Sequence, residues 1–116
     1  MDRDYVVERY RTRDGKVPFE EWVTKMQRKD PDVVLRILMR INRAIKRNFG
    51  DYRYLRKGVW EMRVDSGPGY RIYFAVENQQ VLLLLIGGDK KRQKADIKLA
   101  IDYWKDHQKG QLDECY

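Results

Sequence analysis

Histidine and cysteine are almost missing from these 116 residues: the sequence holds one of each, His107 and Cys115. A lone cysteine forms no internal disulfide, so nothing in the thiol content points to an oxidising compartment, and a cytoplasmic location is expected. One histidine excludes acid/base chemistry by a histidine pair. No cluster of carboxylates, cysteines or histidines shows the sequence spacing of metal ligands. Neither a metal nor a cofactor is therefore expected, and His107, near the end of the last predicted helix, reads as surface decoration. Long apolar runs are missing too. The longest, Val81–Ile86, falls far short of the roughly 20 residues that span a bilayer, so no membrane partner is expected. The first residues, Met1-Asp2-Arg3-Asp4, are too polar for a signal peptide. There is no internal repeat and no low-complexity segment.

What is present in excess is positive charge, formally +7. It sits in one stretch. Arg36, Arg40, Arg43, Lys46, Arg47, Arg53, Arg56 and Lys57 stand against a single acid, Asp51, and basic and acidic residues cancel over the remainder. A concentrated basic stripe suits a polyanion or an acidic protein partner. A merely solvated helix face is the alternative.

The length suits one domain, read as residues 1–109, with a frayed tail over 110–116. Tyr5–Arg11 carries β-branched and aromatic residues and predicts a strand, closed by the turn Asp14-Gly15. Pro18 fits the first turn of a helix, in which Phe19, Trp22, Val23 and Met26 recur at helical spacing. Asp30-Pro31 divides this helix from a second, with Asp30 as the candidate N-cap. In the second, Val34, Ile37, Leu38, Ile41, Ala44 and Ile45 form an apolar stripe. Arg36, Arg40, Arg43 and Arg47 share the outer face, and Gly50 is a stop. Three strands follow, Val59–Val64, Tyr70–Val76 and Val81–Ile86. With residues 65–69 as a hairpin loop, Val64 opposes Tyr70 and Arg63 opposes Arg71, and the apolar sets face one way. The same register gathers Glu61, Arg63, Arg71 and Tyr73 on the opposite face. A last helix follows Gly87-Gly88, with Asp89 and Asp96 as alternative caps. The order β-α-α-β-β-β-α predicts an α+β fold, with helices packed on one face of a mainly antiparallel sheet. Trp22, Trp60 and Trp104 read as core.

Three segments carry a resemblance: Pro18-Phe19-Glu20-Glu21-Trp22, Gly67-Pro68-Gly69-Tyr70-Arg71-Ile72-Tyr73, and Gly87-Gly88-Asp89-Lys90-Lys91-Arg92-Gln93 with Asp96-Ile97 and Ala100. In this order and spacing the chain resembles the RelE/HigB superfamily of toxins from type II toxin–antitoxin modules, and within it the addiction-module killer proteins. The resemblance implies a RelE/ParE-like fold, a toxin neutralised by a small cognate antitoxin, and ribosome-dependent cleavage of mRNA that inhibits translation.

A ribonuclease of this kind drives the ribose 2′-hydroxyl onto the adjacent phosphate and stabilises the charge that develops there. The resemblance implies that Arg71 contacts the scissile phosphate, that Lys90 serves the same chemistry, and that Arg63 assists. Glu61 stands where the RelE pattern has a lysine, and a carboxylate is a candidate base. Tyr73 or Asp89 could replace a C-terminal tyrosine or histidine of the family. Arg36, Arg40, Arg43, Arg47, Arg53, Lys91 and Arg92 are the expected RNA-binding residues. Plainer roles stand beside these: an ion pair between Arg63 and Glu61, a cap at Asp96, and sheet-edge packing or base stacking by Tyr52 and Tyr54. Two other functions stay open, a ParE-like inhibitor of DNA gyrase and a nucleic-acid-binding regulator without catalysis.

Overall fold

The computed structural model describes residues 3–64 and 69–114. The hairpin loop expected at 65–69 lies, apart from Gly69, outside the described residues, and so does Cys115. The elements are β1 (Val6–Arg9), α1 (Pro18–Lys29), α2 (Pro31–Ile45), β2 (Tyr52–Arg56), β3 (Val59–Arg63), β4 (Arg71–Glu77) and β5 (Val81–Gly88), then a single 3-10 turn (Lys90–Arg92) and α3 (Gln93–Glu114). The fold is α+β, with a five-stranded sheet in the order β1-β5-β4-β3-β2. The sheet is mixed: β1 runs parallel to β5, and the other pairs are antiparallel.

α1 begins with Pro18 and carries Glu20 and Glu21 in its first turn and Arg28 and Lys29 in its last, charges that complement the helix dipole. Asp30 alone joins it to α2. The Asp30 side chain caps nothing, in contrast to expectation; its backbone N–H instead donates to the Met26 carbonyl at 2.7 Å and closes α1. From the two helices Phe19, Met26, Val33, Ile37, Ile41 and Ala44 pack on Met62, Ile72, Phe74, Leu82 and Leu84 of the sheet.

Helices cover both faces of the sheet, which corrects the one-face expectation. On the far side Ala100, Ile101 and Trp104 of α3 pack on Tyr10, Val59, Tyr73, Ala75, Leu83 and Leu85. This explains the apolar run of β5. Leu82 and Leu84 face α1 and α2, Leu83 and Leu85 face α3, and all four are fully buried. A strand covered on both faces has no polar parity, and each buried leucine contributes roughly 1.5–3 kcal/mol.

Gly87 and Gly88 let both helical layers close at the end of β5. A Cβ on Gly87 would lie 2.2 Å from the Trp22 ring of α1, and one on Gly88 would lie 1.9 Å from Asp96 Oδ2 of α3. No side chain fits either gap.

Further differences concern edges and ends. β2 was not expected. It pairs with β3 at the sheet edge and is almost wholly exposed. α2 stops at Ile45, and Arg47 turns the chain at φ +65° before Gly50. Leu38 lies outside the core, 52% exposed. The tail expected from Gly110 is helical through Glu114. The expected register holds: Arg63 opposes Arg71, and the Val64 N–H donates to the Tyr70 carbonyl at 2.9 Å.

Candidate functional site

Cross-strand register builds a polar patch on the α3 face of the sheet. Arg53 of β2 opposes Glu61 of β3, which opposes Tyr73 of β4. One step along, Arg63 opposes Arg71, which opposes Gly88 of β5. The four residues expected to share a face do so. Their burial was not foreseen. Glu61, Arg71 and Tyr73 are enclosed, and only Arg63 is open to solvent.

Glu61 is the anchor. Arg53 Nε donates to Oε1 at 2.7 Å, Gln93 Nε2 at the start of α3 donates to Oε2 at 3.2 Å, and Arg71 Nε lies 3.6 Å from Oε2. The carboxylate is thus enclosed and committed to three groups, an arrangement that suits holding Arg71 better than taking a proton from a ligand. Arg63 does not pair with it; its Nε lies 3.9 Å from Asp51 Oδ2.

Arg71 is fixed at both ends of its guanidinium. Besides the approach to Glu61, its Nη1 donates to the Gly69 carbonyl at 2.7 Å. Lys90 comes in from the other side. A Cβ on Gly69 would meet Arg71 Nη1 at 3.4 Å and Lys90 Cβ at 3.5 Å, so the two cationic side chains flank one glycine. Lys90, Lys91 and Arg92 are exposed. Asp89 accepts a hydrogen bond from the Arg92 N–H at 3.1 Å and is the cap of this turn. Asp96 is not a cap: it lies inside α3, buried, with Oδ1 3.7 Å from Arg92 Nε.

Three buried polar atoms here lack hydrogen-bond partners: Arg71 Nε, the Tyr73 hydroxyl and Asp96 Oδ2. Burial, then the nearby charges of Glu61 and Asp96, push the Tyr73 hydroxyl above its ordinary pKa. Burial also raises the Asp96 carboxyl, against the attraction of Arg92. Chemically, the site is a set of cations, one enclosed and several exposed, able to hold a phosphate. Gln93 and Asp96 complete it from α3; the sequence offered Gln93 only as the end of the Gly87–Gln93 segment and Asp96 as a helix cap.

The basic stripe separates into different roles. Arg40 is buried. Its Nε donates to the Arg63 carbonyl at 2.7 Å and its Nη2 to the carbonyls of Phe49 and Asp51, so it secures the α2–β2 connection. Arg47 donates to the carbonyls of Arg3 and Gln79 at 2.8 and 2.7 Å and lies over the Tyr5 ring. Neither presents a free cation on the outer face. Arg36 and Arg43 are exposed, and with Pro31, Leu35 and Met39 they line a shallow groove along α2. Leu35, Leu38 and Met39 are all more than half exposed. This face lies across the sheet from Arg71 and Lys90.

His107 corrects its expected role as surface decoration. Its Nε2 lies 3.1 Å from Glu77 Oε2, and its ring stacks on Trp104. It lies near the other end of α3 from Gln93 and Asp96, so it has no part in the patch around Arg71.

Residues 21–105 match the family described as Phage derived protein Gp49-like (DUF891). An uncharacterized protein of Haemophilus influenzae is 41% identical over an alignment of 86 residues that covers 71% of this chain and 81% of that protein. The matched family segment includes α2, the whole polar patch and the start of α3.

Proposed function

The chain belongs to the phage-derived Gp49-like family, a family associated with toxin–antitoxin modules, and from that membership we propose that it is the toxin of such a module and acts as an mRNA endoribonuclease. In this reading the patch around Gly69 takes the scissile phosphate. Arg71 and Lys90 stabilise its developing charge, and Arg63, Arg53, Lys91 and Arg92 bind the flanking backbone. The ribose 2′-hydroxyl attacks phosphorus and the bond to the 5′-oxygen breaks; the 2′-hydroxyl proton goes to solvent water and the departing 5′-oxygen takes one from it, leaving a cyclic phosphate and a 5′-hydroxyl. Glu61 is a positioning residue for Arg71 rather than the base.

The observation that carries this reading is the immobilised Arg71 guanidinium beside the exposed Lys90, both against Gly69. The antitoxin is proposed to engage the outer face of α2, where exposed Leu35, Leu38 and Met39 lie beside Arg36 and Arg43. An acidic amphipathic segment complements such a face. Arg40 and Arg47 drop out of the proposed RNA contacts, because backbone carbonyls hold them, and Arg36 and Arg43 pass from the RNA set to the antitoxin face.

RNA mapping after induction tests the proposal. Cleavage within translated codons is expected; Arg71→Ala should abolish it, at a cost in stability from the stranded Glu61, and Lys90→Ala, at an exposed position, should reduce it with the enclosed pair intact. Intact messages with stalled gyrase would replace it with the ParE-like reading. A fully toxic Arg71→Ala variant would remove Arg71 from the mechanism.

A further inference from the structure

Far from the Arg71 patch, three side chains meet that lie well apart in sequence. Glu8 comes from β1, Glu77 from the last position of β4, and His107 from α3. Between the strands lies β5, with Glu8 opposite Leu83 and Glu77 opposite Val81. α3 lowers His107 onto the pair. One ligand-type atom from each residue lies within 4.8 Å of the other two.

Two carboxylates this close repel each other unless a cation lies between them. The neighbouring protein cations are committed elsewhere. Arg13 pairs with Asp106 at 3.2 Å, and Arg11 donates to the Gly15 carbonyl. Among the described residues the Glu8 side chain makes no hydrogen bond or ion pair, while the His107 ring nitrogen is paired with Glu77 alone. The His107 and Glu77 side chains are 19% and 10% exposed, and the imidazole plane is set by stacking on Trp104 at 16° between rings. The imidazole and the Glu77 carboxylate are therefore held in place, and the Glu8 carboxylate, on an exposed edge residue, is free to close on them.

We propose that Glu8, Glu77 and His107 form a site for one divalent transition-metal ion of the zinc class. The donor set decides the class. One imidazole nitrogen with two carboxylate oxygens suits zinc or cobalt, whereas calcium and magnesium take oxygen donors throughout. Ligands about 2.1 Å from a tetrahedral ion are about 3.4 Å apart, so binding draws the Glu8 carboxylate inward by a rotamer change. The fourth position opens on a cleft lined by Arg11, Arg13, Gly110 and Gln111 and takes water. The ion ties β1, β4 and α3 together. It lies roughly 20 Å along α3 from the Gln93 end, at 1.5 Å per residue, and so acts apart from the phosphate chemistry.

The test uses the full chain without a histidine tag and with Cys115→Ser, so that no other soft ligand remains. Zn2+ is titrated calorimetrically and by thermal unfolding, and Co2+ by visible absorption. One ion per chain is expected, with a rise in Tm and the absorption bands of tetrahedral Co2+. Glu8→Gln, a change at an exposed edge, should weaken binding by about tenfold or more, as loss of a ligand requires, with a metal-free Tm equal to or above the parent's. His107→Gln should abolish the cobalt bands. Absence of binding up to about 1 mM Zn2+, a free energy near −4 kcal/mol, would overturn the proposal. Equal binding by the parent and Glu8→Gln would do the same.

Discussion

Glu61 and Arg71 meet diagonally across β3 and β4 with Oε2 and Nε 3.6 Å apart and side chains 1% and 5% exposed. An enclosed pair of this kind adds little net stability over an apolar pair, but removing one member leaves the other charge stranded. Glu61→Ala should therefore cost about 3–5 kcal/mol in urea unfolding and should suppress toxicity with it. Glu61→Gln keeps the shape and an acceptor for Arg53, so a smaller stability loss with impaired toxicity is expected. A Glu61→Ala protein as stable as the parent would contradict the anchoring role.

Arg40 gives a second, independent test. Its guanidinium serves the carbonyls of Phe49, Asp51 and Arg63. Arg40→Ala strands these acceptors, at about 1–3 kcal/mol for each buried unsatisfied group. A large drop in the urea midpoint is expected, whereas Arg43→Ala, at an exposed position, should stay within about 0.5 kcal/mol. Equal effects would mean that the two arginines share one role after all.

The outer face of α2 is tested by charge. Leu35→Asp with Met39→Asp alters side chains 63% and 59% exposed, so stability should change by no more than about 1 kcal/mol. Toxicity should persist, while rescue by the co-expressed antitoxin fails. Full rescue would place the antitoxin on another surface.

Asp96 carries a pH signature. Burial raises its pKa above the ordinary 3.8. The unfolded chain therefore ionises first as pH rises, and the contribution of Asp96, intact below the ordinary value, is lost as pH climbs through the raised one. Asp96→Asn removes this slope. The stability of the variant relative to the parent should improve between about pH 3 and pH 7, measured by urea unfolding at each pH. A difference that stays flat with pH would show that Asp96 titrates normally.

Much of this architecture was legible because single residues dictate it. Pro18 starts α1, the apolar run of β5 marks a strand interior to the sheet, and the spacing around the hairpin sets Arg63 opposite Arg71. β2 escaped because Tyr52, Arg53 and Tyr54 are all exposed, so the strand has no buried parity to read. Arg36 and Arg40 look alike on a helical wheel. Only the carbonyls brought up by the chain after α2 make Arg40 structural. The burial of Glu61 depends on α3 crossing the second face, which Gly88 permits through a close approach that composition does not reveal. Glu8, Glu77 and His107 escaped for a related reason. Pattern reading finds ligands on one element, and these come from three.

The placement of α2 and the Arg71 patch on opposite sides of one sheet has a kinetic consequence. With RNA on the Arg71 patch and the antitoxin on α2, as proposed, the two have separate surfaces. Inhibition from α2 is then expected to be noncompetitive in form: turnover should fall while the concentration for half-saturation stays put, and added RNA should not relieve it. The connection across the sheet runs through Arg40, which holds the carbonyl of Arg63 directly opposite Arg71.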